Sequence, residues 1–161
     1  MSTPFRAHLI IGACFVAAFA AHAGAEETLI WTEKASDGFV SLQYGSLDPA
    51  KAPPFLLSCF EAMGVAVFDV RQEIEGAKKG EPLTIALSAG NAKAELKGEA
   101  ASDDATGKIF AEASDIAVKP VLEVLRQAGP LTITTGKSSA SLTDQGRSDA
   151  VERFAKDCTL E

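Results

Sequence analysis

An α+β fold is the architecture this chain predicts: a mostly antiparallel β-meander of about eight strands, with two helices near the C-terminus. Three observations carry it. Turn signals arrive roughly every eight to twelve residues through most of the chain, which is the spacing of short strands. Residues 83–99 alternate apolar and polar side chains. After Pro120, and again after Arg147, apolar residues recur at helical spacing instead.

The elements follow in order. Residues 29–32 around Trp31 read as a first strand, and residues 39–44 as a second with Val40, Leu42 and Tyr44 on one face. Pro49, Pro53 and Pro54 block regular structure in the loop that follows. Residues 55–60 form a short apolar strand, Gly64 marks a tight reversal, and residues 65–74 pair back. A turn over 76–80 carries Lys78 and Lys79 at its tip. Leu83, Ile85 and Leu87 then alternate, and Ser88-Ala89-Gly90-Asn91 closes a hairpin. The return strand puts Ala92, Ala94 and Leu96 on one face and Lys93, Glu95, Lys97 and Glu99 on the other. Residues 103–107 turn into a strand over 108–113. Val121, Leu122, Leu125 and Ala128 share a helix face, Pro120 suits the first turn, and Gly129-Pro130 ends the helix. Residues 131–135 and 138–143 make a last hairpin around Gly136-Lys137. A final helix over 147–158 points Val151, Phe154, Ala155 and Cys158 inward, with Asp149–Arg153 and Glu152–Lys156 as i,i+4 pairs outside.

Residues 1–25 read as a cleaved secretory signal, and 26–161 as a single disulfide-closed α+β domain. Arg6 is the only charge before Glu26, and residues 7–21 are apolar apart from His8. Ala23-Gly24-Ala25 supplies small residues before Glu26, and Ala21-His22-Ala23 is an alternative cut. An uncleaved anchor would need about 20 strongly apolar residues, and this stretch is short and alanine-rich. Ile11-Gly12-Ala13-Cys14 loosely resembles a lipobox, but apolar residues continue past Cys14 to Ala21. The chain is therefore expected in the periplasm or secreted, with no stable membrane span after processing.

Charge and cysteine usage narrow the function. The formal net charge is -7 over 161 residues, which argues against a nucleic-acid partner and against docking on anionic lipid. Both histidines, His8 and His22, fall in the signal segment, so neither a Ser-His-Asp site nor a histidine zinc site can be built after cleavage. Cys59 and Cys158 are then the two cysteines left, and an even count in an exported chain reads as a disulfide. Two separate buried thiols are the alternative. No Cys-x-x-Cys is present to support redox chemistry.

Other motifs reduce to ordinary structure. Gly136-Lys137-Ser138 looks like the end of a phosphate loop, but Leu131 stands where the motif needs glycine. Residues 103–107 hold two acids without the ligand spacing of a calcium loop. Glu73 and Glu75 would share one strand face and could serve a glycosidase only inside a cleft. Thr132, Thr134, Ser139, Ser141 and Thr143 put hydroxyls on one side of the last hairpin, as a wet sheet face does. The row of Lys93, Glu95, Lys97 and Glu99 is a candidate docking strip or edge protection. Trp31, the single tryptophan, is a candidate interface anchor or a core residue. No catalytic residue, metal ligand or cofactor is expected.

The order of these features resembles the accessory periplasmic proteins encoded with type VI secretion systems. The residues that carry the likeness are Trp31, Leu57 with Cys59, Val121 with Leu125, Leu131, Leu142 with Gly146, and Ala150 with Cys158. The resemblance implies an accessory binding role. The expected function is thus a non-enzymatic binding or accessory protein that meets an envelope or secreted protein. An inhibitor or immunity-type protein is one alternative, and a carboxylate-based cell-wall glycan hydrolase is another.

Overall fold

The computed structural model describes residues 28–160, so the signal segment and both candidate cuts lie outside the described residues. Among these residues are nine strands and two α-helices: β1 (Ile30–Ser36), β2 (Phe39–Gly45), β3 (Phe55–Phe60), β4 (Val65–Val70), β5 (Pro82–Ala89), β6 (Ala92–Ser102), β7 (Ile109–Ser114), α1 (Val118–Leu125), β8 (Leu131–Thr135), β9 (Ser138–Leu142) and α2 (Arg147–Asp157). All strands join one antiparallel sheet in the order β1-β2-β3-β4-β7-β6-β5-β8-β9. The α+β reading holds, with nine strands where about eight were expected.

Local chemistry explains the boundaries. The β1–β2 hairpin closes on Asp37-Gly38, both at positive φ (41° and 79°), as a tight two-residue loop requires. That Asp-Gly signal lets β1 run to Ser36, beyond the expected 29–32. β4 ends at Val70, short of residue 74, and the Arg71 amide donates to the Pro54 carbonyl just ahead of β3. Glu73 and Glu75 therefore stand on a loop and share no strand face. α1 starts at Val118, so Pro120 sits in the first turn, where a missing N–H costs no helical bond. It ends at Leu125, and Ala128, expected on its inner face, is exposed.

Both helices lie on one face of the sheet, α2 over β1 and β2, and α1 over β5 and β6. Alternation supplies the matching apolar side: Val40, Leu42, Phe55, Leu57 and Phe68 in the first half, Ile85, Leu87, Leu131 and Ile133 in the second. The expected i,i+4 pairs on α2 give way to tertiary partners. Arg153 reaches Glu33 of β1 at 3.7 Å, and Glu152 accepts from Arg126 beside α1 at 3.0 Å.

The sheet bends where its halves meet. β6 pairs with β5 over residues 92–99 but with β7 only over 99–102. At the junction a Cβ on Gly98 would lie 2.3 Å from the Glu112 carbonyl oxygen, so only glycine permits this approach. The far edges also approach each other. The Trp31 indole N–H of β1 donates at 2.6 Å to the carbonyl of Thr143, the residue that follows β9.

Candidate functional site

One tie holds α2 to the sheet, and another joins the two helices. Cys59 on β3 and Cys158 at the end of α2 form a disulfide, with Cα atoms 5.9 Å apart. Glu61 adds a clamp there, accepting from the Thr159 amide and hydroxyl. At the other end of α2, Arg147 is 1% exposed. Its guanidinium donates to the carbonyls of Leu125, Gln127 and Gly129, which caps the end of α1. Burial lowers its pKa, and the nearby Asp144 charge works against that shift. The guanidinium also lies 5.9 Å from the Trp31 ring centroid.

Trp31 is therefore a core residue. It is 5% exposed and packs at 4.9 Å from Phe55 and 5.2 Å from Tyr44. It is not available as an exposed anchor. Lys93, Glu95, Lys97 and Glu99 are all exposed on the face of β6 turned away from α1. Thr132 pairs with Ser141 and Thr134 with Ser139 on that same face, while Thr143 lies beyond β9. Gly136-Lys137 is the β8–β9 turn. In the 103–107 turn, the Asp103 carboxylate accepts from the Ala105 and Thr106 amides and the Thr106 hydroxyl. It closes a turn with its own oxygens.

The outer face of the first half is apolar. Phe39 and Phe60 stack with ring centroids 5.0 Å apart across β2 and β3. Leu56, Val65 and Val67 continue this half-buried surface. Ser41 and Ser58 lie at its centre and are only 5% and 6% exposed, although neither α1 nor α2 packs on this face. Leu47, 76% exposed, and Met63, 66% exposed, stand in the loop after β2 and in the 3-10 turn Glu61–Met63 before β4.

A row of charges bounds this surface. Asp69 on β4, Glu112 on β7 and Glu99 on β6 are successive cross-strand neighbours. Arg71 bridges Asp69 at 3.3 Å and Asp103 at 3.2 Å, with its guanidinium 4.8 Å from the Phe110 centroid. Burial raises the Asp69 pKa; Arg71 opposes the shift and Glu112 adds to it. Asp103 is shifted the other way, mainly by the hydrogen bonds from Thr106. A notch of about 410 Å³ reaches Glu99 and Glu112 but is not lined by Asp69. Glu73 pairs with Lys108 at 3.4 Å, and Glu75 lines a separate cleft with Ile74, Leu83 and Lys137. Among the described residues no group of three or more His, Cys, Asp or Glu is arranged to hold a metal ion.

Sequence reasoning missed Arg147 and the Asp69–Arg71–Asp103 bridge. Asp69 and Arg71 at i,i+2 were a readable signal for a same-face pair. Nothing local distinguishes Arg147 from an exposed arginine at a helix start. No protein-family model, curated protein or solved structure matches this chain.

Proposed function

We propose that the protein is an exported, non-enzymatic binding or accessory protein that acts in the periplasm by contact with an envelope or secreted protein. One observation carries this reading: the outer face of β1–β4 is an apolar surface that neither α1 nor α2, the helices of the described residues, covers. Phe39, Phe60, Leu56, Val65 and Val67 form it, and Lys34, Gln43 and Glu112 supply a polar rim. Aromatic and aliphatic side chains held on rigid strands bind with little loss of side-chain freedom. The likeness of the sequence to periplasmic accessory proteins of type VI secretion systems supports the same role. An inhibitor or immunity-type protein would use such a face equally well, with the acidic charge favouring a basic target.

The alternative of a carboxylate-based glycan hydrolase has one supporting feature, the raised pKa of Asp69 beside Glu112. Against it, Asp69 is buried and one of its oxygens is held by Arg71, which leaves little of it open to a glycan.

In-cell crosslinking of tagged wild-type, Val67→Asp and Phe60→Asp chains tests the proposal. The wild type should capture one dominant protein, and both variants should lose it while melting close to the wild type. Retention of that protein by both folded variants would refute this surface. Turnover of cell-wall glycan that disappears in Asp69→Asn would replace the proposal with the hydrolase.

A further inference from the structure

The second half of the sheet leaves a different face uncovered, and its charge pattern is self-complementary. Lys93, Glu95, Lys97 and Glu99 alternate in sign along the outer side of β6. Among the described residues none of the four is in an ion pair. Their neighbours on β5, β8 and β9 are short: Thr84, Ala86 and Ser88, then Thr132 and Thr134, then Ser139 and Ser141. Four long charged side chains thus stand above a face of small ones.

We infer that this face pairs with a second copy of the chain. A two-fold axis in the interface plane, crossing β6 at Leu96, lays one β6 antiparallel over the other. Lys93 then meets Glu99 of the second copy, and Glu95 meets Lys97. Symmetry repeats both contacts. An axis at Glu95 would instead set Lys93 against Lys97 and Glu95 against itself, and axes at Ala94 or Gly98 would pair only two of the four charges, so the axis at Leu96 is the one that uses the whole strip. Edge protection alone needs charges but no particular order of sign.

The junction with β7 points to the same contact. Glu99 lies directly across from Glu112, a destabilising pairing of like charges. Both line the notch with Lys97, Gly98 and Ser114. Lys93 of the second copy enters this notch and adds a cation to the two carboxylates. The inference does not rest on the partner-binding surface of β1–β4.

Sedimentation velocity of the purified chain at low and high salt tests it. The wild type should form a dimer at low salt that weakens as salt screens the strip. Lys97→Glu should weaken the dimer by about tenfold or more, since it sets like charges against Glu95. The double variant Glu95→Lys with Lys97→Glu should restore it. Lys93→Glu should be rescued by Glu99→Lys and not by Glu95→Lys. A wild-type monomer at low salt, a dimer indifferent to Lys97→Glu, or no rescue by either exchange would overturn the proposal. A monomer whose crosslinks to another protein depend on the strip would also overturn it and assign the strip to that protein.

Discussion

The outer faces of β1–β4 and of β5, β6, β8 and β9 are both left bare by the helices, yet they meet water with opposite chemistry. The first presents Phe39, Phe60, Leu56 and Val67 around the buried Ser41 and Ser58. The second presents short hydroxyl and alanine side chains beside a row of alternating charge. An open sheet face is obliged to be neither wholly polar nor wholly apolar; what it carries reports what is meant to meet it. The inner sides differ as well. The first half packs an aromatic cluster of Trp31, Tyr44, Phe55 and Phe68 under a helix tied covalently to β3, whereas the second packs aliphatic side chains under α1, whose end is held by Arg147.

The largest break in this comparison comes from cutting the covalent tie. Cys59 and Cys158 are 99 positions apart, and Cys158→Ser should cost about 4–5 kcal/mol on the chain-entropy model. Urea denaturation measures the loss. Hydrogen exchange should show the amides of α2 opening before those of β5 and β8; the reverse order would mean that the disulfide does not organise the first half.

A smaller effect is expected at the junction of the halves. Gly98→Ala places a Cβ against the Glu112 carbonyl, on rigid backbone, and should destabilise by roughly 1–3 kcal/mol. Thermal denaturation of the variant checks this. An unchanged melting temperature would show that the bend between β6 and β7 is not set by this close approach.

The smallest effect sharpens the boundary between the faces. Asp69 and Asp103 share Arg71 but shift in opposite directions from the ordinary 3.8. Between 3.8 and its raised value, folded Asp69 holds a proton that the unfolded chain has released, so its contribution to stability falls as pH rises through that window. Asp103 is stabilising above 3.8, and that contribution is lost as pH falls through its lowered folded value. Carboxyl NMR titration should find Asp69 titrating above Asp103. The opposite order would show that charge pairing with Arg71, rather than burial, governs Asp69.

Much of the fold was legible because it depends on short-range rules. Strict alternation over 83–99 defined β5, β6 and the side of β6 that carries Lys93 to Glu99. Helical spacing located α2, and the inward placement of Cys59 and Cys158 on their own elements anticipated the bond between them. The expectations that failed were those in which a distant partner outweighed a local preference. Arg153 and Glu152 turned to Glu33 and Arg126 rather than to Asp149 and Lys156 on their own helix, because partners on adjoining elements lay in reach.

The sequence by itself determined the alternation of faces, the turns, the two helices and the pool of residues available for chemistry, since each follows from side-chain size, backbone freedom or count. The tertiary structure alone decided which face the helices cover, because that depends on strand order, and β4 pairs with β7 rather than with β5. Strand order also set Glu112 between Asp69 and Glu99, drew Trp31 into the core beside Thr143, and buried Arg147 on three carbonyls. None of these has a local signature, because each joins groups that only the curl of the completed sheet brings within bonding distance.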